Sequence, residues 1–385
     1  MSVQVSYKKQ FLFFVILIFI ALIATEGVVR YVELISQSCD FIKSDLFDSF
    51  SDSEKYDICS EYKGIKYDVA KPYSMLEPNQ EGKFVNINSD GFRGSEINWN
   101  DEKYKIFFLG GSTIYGAVTT SDESTIPGFV QQKMNEKGIE VSIINAGMSA
   151  ASSIDELYII KEHILKFEPN MIIMYDGWND VAHTQELKFD ISYEQYLEND
   201  FYANSEIVGK IDNIDKSLIH QFGSKLLIFF SEVDYRTGIG ILVNAYKTYT
   251  TNVDVKSSDI SLIKLDRIES KIKQNWSEVC ELGKMHEFQT VNLLQPILGT
   301  SDRILHPDEI KILAENEPVK YLKNIDLEGG LESCENVIDL RNSLDGMDNI
   351  LVYFDIGHMD NFGYEIMAEE IVEKIIPLVQ DELSK

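Results

Sequence analysis

Ile106–Leu109 is a run of four large apolar residues that ends on Gly110, Gly111 and Ser112, within KIFFLGGSTIYG at 105–116. An apolar run of this length, bounded by glycine, suits a strand covered on both faces, as in a parallel sheet. Two similar runs follow. Val141–Ile144 ends in Asn145-Ala146-Gly147, and Met171–Tyr175 ends in Asp176-Gly177-Trp178-Asn179-Asp180. Between them the period changes to that of helices, over Pro127–Glu136 and Ile154–Phe167. Strands alternating with helices predict a parallel sheet with crossover helices, whose strand ends share one rim. Ser112, Gly147 and Asn179 fall on that rim, where α/β proteins place nucleophiles and anion donors.

The rest of the chain extends this pattern. Ser257–His286 carries Ile268, Ile272, Trp276 and Val279 at helical spacing, and Thr290–Leu294 reads as a fourth strand. Residues 302–349 are charged and read as helix-rich. LVYFDIGH at 351–358 reads as a short strand feeding a loop that holds Asp355 and His358. Asp360 or Asn361 then caps a closing helix, Phe362–Leu383, with an apolar stripe from Phe362 to Leu383 and a kink expected at Pro377. Residues 185–256 read as an insertion over the rim.

At 385 residues and 44% hydrophobic content the chain can bury a large core. Its 63 acidic against 35 basic residues give a formal charge of −28, which argues against a nucleic-acid partner because phosphate repulsion is not offset. Lys8 and Lys9 precede the apolar run Phe11–Thr25, and the segment after Arg30 is acidic. That asymmetry predicts a single-pass, uncleaved transmembrane signal anchor with the main domain facing outside the cell membrane; a cleaved signal peptide is the competing reading. Three regions result: 1–30 as cytoplasmic tip and anchor, 31–100 as a lead-in segment packing on the main domain, and 101–385 as that domain. Cys39, Cys59, Cys280 and Cys334 match no zinc or redox spacing. Outside the cytosol they allow three disulfide pairings, of which Cys39–Cys59 is the easiest loop to close, while buried free thiols stay open.

The chemistry is carried by four residue types at strand ends. Acyl transfer near neutral pH needs a hydroxyl nucleophile, an imidazole base, a carboxylate to orient it and donors for the oxyanion. Ser112, His358 and Asp355 supply the first three. The Ser112 and Gly147 N–H groups and the Asn179 amide supply the donors. Ser149 competes as nucleophile, because GMSAA at 147–151 nearly matches the G-x-S-x-G elbow but lacks its last glycine. In the NSDGFRG stretch, Arg93 is a candidate to orient an acidic neighbour or a substrate. His163, His183, His220, His286 and His306 form no metal motif, and neither metal nor cofactor is expected. The GGSTIYG turn also lacks the lysine and glycine spacing of phosphate-binding loops.

Taken in order, GGST at 110–113, NAG at 145–147, GWND at 177–180 and DIGH at 355–358 resemble the four blocks of the SGNH (GDSL-like) hydrolases. The first block departs from the common Gly-Asp-Ser-Leu. The resemblance implies a flavodoxin-like three-layer α/β/α fold with a central parallel sheet. It also implies a serine esterase forming an acyl-enzyme on Ser112, with an ester of a short acyl group on a carbohydrate or lipid as substrate. An O-acyltransferase using the same triad on surface glycans, or a catalytically silent binding protein that keeps the fold, are the alternatives.

Overall fold

The computed structural model describes residues 6–35, 44–68, 75–182, 262–314, 322–327 and 329–384. The expected insertion at 185–256 lies outside them. The chain divides into two compact units, Met1–Cys39 with Glu194–Asp259, and Asp40–Tyr193 with Ile260–Lys385. In the first, the described element is helix α1, Tyr7–Ile35, whose apolar side chains from Phe11 to Ile20 are exposed. Among the described residues no helix is long and apolar enough to cross a membrane. The expected spanning anchor is thus not established by the fold.

The second unit is built on five parallel strands in the order β2-β1-β3-β4-β5. They are β1 (Tyr104–Gly110), β2 (Val141–Asn145), β3 (Met171–Asp176), β4 (Gln289–Leu294) and β5 (Val337–Asp339). The first four lie where apolar runs predict them. In register, Ile106 pairs with Met171, which pairs with Gln289, so alternate residues of neighbouring strands share a face. Ile106, Phe108, Ile173, Tyr175, Val291 and Leu293 join one core, with α4 (Ile126–Glu136) and α9 (Asn361–Leu383). On the other face lie α5 (Ser153–Ile159) and α7 (Leu262–His286): Asn292 of β4 meets Cys280 of α7, and Trp276 of α7 meets Asp176. Both faces of the central strands are therefore covered, which is why these strands read as unbroken apolar runs.

Three readings change. The expected strand at Leu351 does not form. Val352 and Tyr353 donate their N–H groups to Glu309 Oε1 instead, at 3.1 and 3.0 Å. The fifth strand is β5, in the stretch read as helix-rich, where the described helix is α8 (Pro307–Ala314). The closing helix is capped by Asp360, which accepts from Gly363 N at 2.9 Å, and runs through Pro377. Its buried stripe is Tyr364, Met367, Ile371, Ile375 and Val379, at three- and four-residue spacing; Phe362 and Leu383 lie outside it and are exposed.

Ahead of the sheet, α2 (Asp52–Gly64) is fastened to the same unit through Glu61, which accepts N–H bonds from Lys83, Phe84 and Val85. The NSDGFRG turn follows from Asn88, whose Oδ1 accepts from Asp90 N at 3.0 Å and Phe92 N at 2.9 Å, with Gly91 at φ 84°. That turn delivers Phe92 against Phe107 on the sheet.

Cys280 and Cys334 form a disulfide that joins α7 to the segment before β5, and Cys59 is also disulfide-bonded. The Cys280–Cys334 loop spans 54 residues, so losing the bridge through Cys280→Ser with Cys334→Ser is expected to lower stability by about 4 kcal/mol on the chain-entropy estimate. Denaturant unfolding of the double variant checks this, and an unchanged midpoint would contradict it.

Candidate active site

β1 runs into a tight turn, and Ser112 opens the four-residue helix α3 (Ser112–Tyr115). Gly111 is required here, because a Cβ on it would run into the Asn179 side-chain nitrogen. α3 stops at Gly116, which adopts φ 84°. Arg93 closes around this stop. Its guanidinium donates to the carbonyls of Tyr115 (2.7 Å) and Gly116 (2.6 Å), to Phe84 O and to Thr119 Oγ1, while its Nε meets Asp122 at 2.8 Å. Arg93 is 4% exposed, and of the two roles expected for it the geometry supplies the acidic neighbour.

Opposite Ser112 stands the loop Phe354–His358. A bridge between Tyr353 and Met359 closes its neck, and Glu309 holds the strand-like side of that neck. Glu309 is itself fixed by a fully buried bond from Arg303, at 2.7 Å. Neither Arg303 nor Glu309 carries a motif, so sequence reasoning missed both. Within the loop, Asp355 Oδ1 accepts the N–H groups of Gly357 (2.9 Å) and His358 (2.8 Å), while Oδ2 lies 2.7 Å from His358 Nδ1. His358 Nε2 lies 2.6 Å from Ser112 Oγ. Burial pushes the Asp355 carboxyl up, but the His358 charge, its ring hydrogen bond and the two backbone N–H groups outweigh this and leave it below its ordinary value. Asp355 therefore stays ionised at neutral pH.

The donors expected for an oxyanion are arranged less simply. Asn179 lies on the short helix α6 (Trp178–Ala182), and its Nδ2 donates to Ala151 O at 2.7 Å, which leaves the second amide hydrogen. The Gly147 N–H is taken by Asn145 Oδ1 at 3.0 Å, and the same Asn145 side chain donates to Ile114 O. Gly147 is a glycine for packing: a Cβ there would meet the backbone nitrogen of Tyr115. Three residues on, Ala150 adopts φ 63°, a left-handed conformation that L side chains rarely take. Its N–H and that of Ser112 donate to no group among the described residues. Sequence alone offers no signal for a left-handed alanine. Ser149, the rival nucleophile, meets the Tyr62 hydroxyl at 3.4 Å and hydrogen-bonds no described histidine.

Behind Asn179 lies a cluster of four buried carboxyl groups: Asp155, Glu156, Asp176 and Asp180, each 2% exposed or less. Asp180 accepts from Ser153 Oγ at 2.6 Å and Asp176 from Trp276 Nε1 at 2.7 Å. Neither Glu156 oxygen meets an N–H or O–H donor; the Asp176 carboxyl beside it is what a Glu156 proton bonds. Desolvation raises three of the four acids: Glu156 well above its ordinary value, Asp176 to about 6 and Asp180 to about 8. No group of three or more acidic, His or Cys residues among the described residues is arranged to hold a metal. A shared proton joins Glu156 to Asp176, while Asp155 accepts from Ser152 and Asp180 from Ser153.

An open depression of about 400 Å³ borders His358, lined by Trp178, Ile312, Phe354 and Ile356 with the loop backbone. A larger cleft of about 580 Å³ runs along the outer edge of β2 and touches none of Ser112, Asp355 or His358.

No family model matches the sequence. No curated protein matches it either. Among solved structures, an acetyl xylan esterase is 14% identical, with a TM-score of 0.39 over 71% of this chain and 100% of its own. A lipase/acylhydrolase from Enterococcus faecalis is 17% identical, with a TM-score of 0.37 over 70% of this chain and 94% of its own. A GDSL-like lipase from Bacteroides thetaiotaomicron is 12% identical, with a TM-score of 0.34 over 71% and 89%. Scores this low decide nothing about chemistry, which rests on the geometry.

Two expectations follow from the site. The folded cluster binds protons that the unfolded chain releases once pH exceeds the ordinary carboxylate range. Stability therefore falls as pH rises from about 4 through about 6 and about 8. Thermal midpoints measured across that window should decline, and Glu156→Gln, which holds its hydrogens at any pH, should flatten the decline; parallel slopes would refute the shared-proton account. Removing the Arg93 charge in Arg93→Met takes the cation from Asp122, which keeps its bonds from Asn86, and a donor from several carbonyls, and urea unfolding should register a loss of about 3–5 kcal/mol.

Proposed function

We propose that the chain is a serine ester hydrolase of the SGNH type. One observation carries this: His358 spans Ser112 Oγ and Asp355 Oδ2 with its two ring nitrogens, at 2.6 and 2.7 Å. In this reading Ser112 Oγ attacks an ester carbonyl while His358 Nε2 takes its proton, and the ionised Asp355 holds the ring and offsets the imidazolium charge. The oxyanion is received by the Ser112 N–H, the spare Asn179 amide hydrogen and the Ala150 N–H, the last in place of the Gly147 N–H that Asn145 occupies. His358 then returns the proton to the departing alkoxide. Water activated by the same imidazole resolves the acyl-enzyme and frees the acid. No cofactor enters these steps.

Trp178, Ile312 and Ile356 beside His358 suit a short acyl group and the apolar face of a sugar or lipid alcohol. The helix α1, with Lys8 and Lys9 before a row of exposed apolar side chains, supports a membrane-tethered protein with its catalytic unit outside. Export would also favour the disulfides.

Full-length protein tested with p-nitrophenyl acetate and a fluorophosphonate probe examines the reading. Wild type should turn over the ester and become labelled. Ser112→Ala should lose both, with kcat falling on the order of 10⁴- to 10⁶-fold, and Asp355→Asn should lose about 10⁴-fold. Ser149→Ala should retain both. Absence of labelling in folded wild type, or its loss only in Ser149→Ala, would overturn the assignment.

A further inference from the structure

We propose that Phe47, from the segment that precedes the sheet, is a positioning residue for His358 and acts through Phe354. Two in-plane hydrogen bonds locate the His358 nitrogens, but they leave the tilt of the ring to whatever covers its faces. Phe354 covers one: the two rings are parallel within 6°, with centroids 5.7 Å apart. The same pair is joined by the backbone bond from Phe354 N to His358 O, at 3.2 Å. Phe354 is 7% exposed and lines the depression beside the site, so its ring is held from the protein side by a brace. Phe47 supplies it edge-on, with centroids 5.6 Å apart and planes at 67°.

Phe47 ends a single helical turn, Asp45–Phe47, and is 4% exposed. The segment carrying it is anchored independently of the triad. Glu61 at the far end of α2 binds three successive backbone N–H groups at 83–85, and Tyr62 reaches Ser149 in the loop that follows β2. The chain before the sheet thus grips both sides of the site, the loop after β2 through Tyr62 and the histidine loop through Phe47. Removing the Phe47 ring takes away the edge-on contact that helps set the Phe354 plane, and the imidazole then tilts away from the line joining Asp355 to Ser112. Because catalysis depends steeply on that alignment, the loss appears in kcat and not in substrate binding.

The inference rests on the ester-hydrolase reading, and the test separates the two. Full-length wild type, Phe47→Ala and Phe47→Leu are compared by p-nitrophenyl acetate kinetics, thermal unfolding and the downfield proton resonance of the Asp355–His358 hydrogen bond. Phe47→Leu keeps apolar volume and serves if Phe47→Ala does not fold. Support is a fall in kcat on the order of 10-fold in Phe47→Ala and several-fold in Phe47→Leu. KM should be unchanged and the resonance broadened, with the resonance of Phe47→Leu intermediate. A kcat within twofold of wild type with a sharp resonance in both variants would overturn the proposal. So would a raised KM at unchanged kcat, which would make Phe47 part of the substrate wall. If wild type shows the resonance but no turnover, the hydrolase reading fails, and the resonance of the variants still decides the role of Phe47.

Discussion

The hydrogen bond between His358 Nε2 and Ser112 Oγ joins residues 246 positions apart, and the rest of the second unit can be understood as what makes that contact possible. One bond of this kind contributes only about 1 kcal/mol, far less than the entropy of ordering two loops. It persists because each loop is built separately. Ser112 is held by a strand buried on both faces and a turn clamped by Arg93. His358 is held by Asp355 within its own loop and by Glu309 at the neck. The sheet brings two finished loops together.

The supports differ in physical kind, and the difference matters. Arg93 and Arg303 are buried cations whose charges are compensated by carboxylates and carbonyls, an arrangement that specifies one geometry more than it stabilises. The carboxyl cluster behind Asn179 is the opposite case, acids packed against one another and kept neutral in part by desolvation. It places a pH-sensitive element directly behind a candidate oxyanion donor. Such a cluster weakens the fold at neutral pH, and its position next to Asn179 and Ala151 ties that weakness to the site.

Much of the site was legible because its residues sit where local rules are strong. Four apolar runs announced four strands, and glycine or polar residues at their ends announced the rim. Asp355 and His358 are three residues apart, so one loop brings them together without help from elsewhere. Other features were not legible for reasons that are equally physical. Sequence points to Gly147 as a donor, but its small size serves close packing against α3 and its N–H is spent on Asn145. Ala150 holds a backbone conformation that its side chain does not favour, which only surrounding structure can impose. The expected strand at Leu351 had the composition of a strand but lost its pairing to the Glu309 carboxylate.

By itself the sequence determined the elements and the chemistry on offer: alternating strands and helices, a serine at one strand end, an acid and a histidine in one loop. These follow from periodicity and short spacing, which operate within a few residues. Tertiary structure alone decided which serine meets the histidine, which N–H groups remain unspent, and that a phenylalanine more than 300 positions before the histidine packs on the ring beside it. Those outcomes depend on contacts between distant segments, where burial and competition for hydrogen-bond partners act, and no local pattern encodes who wins that competition.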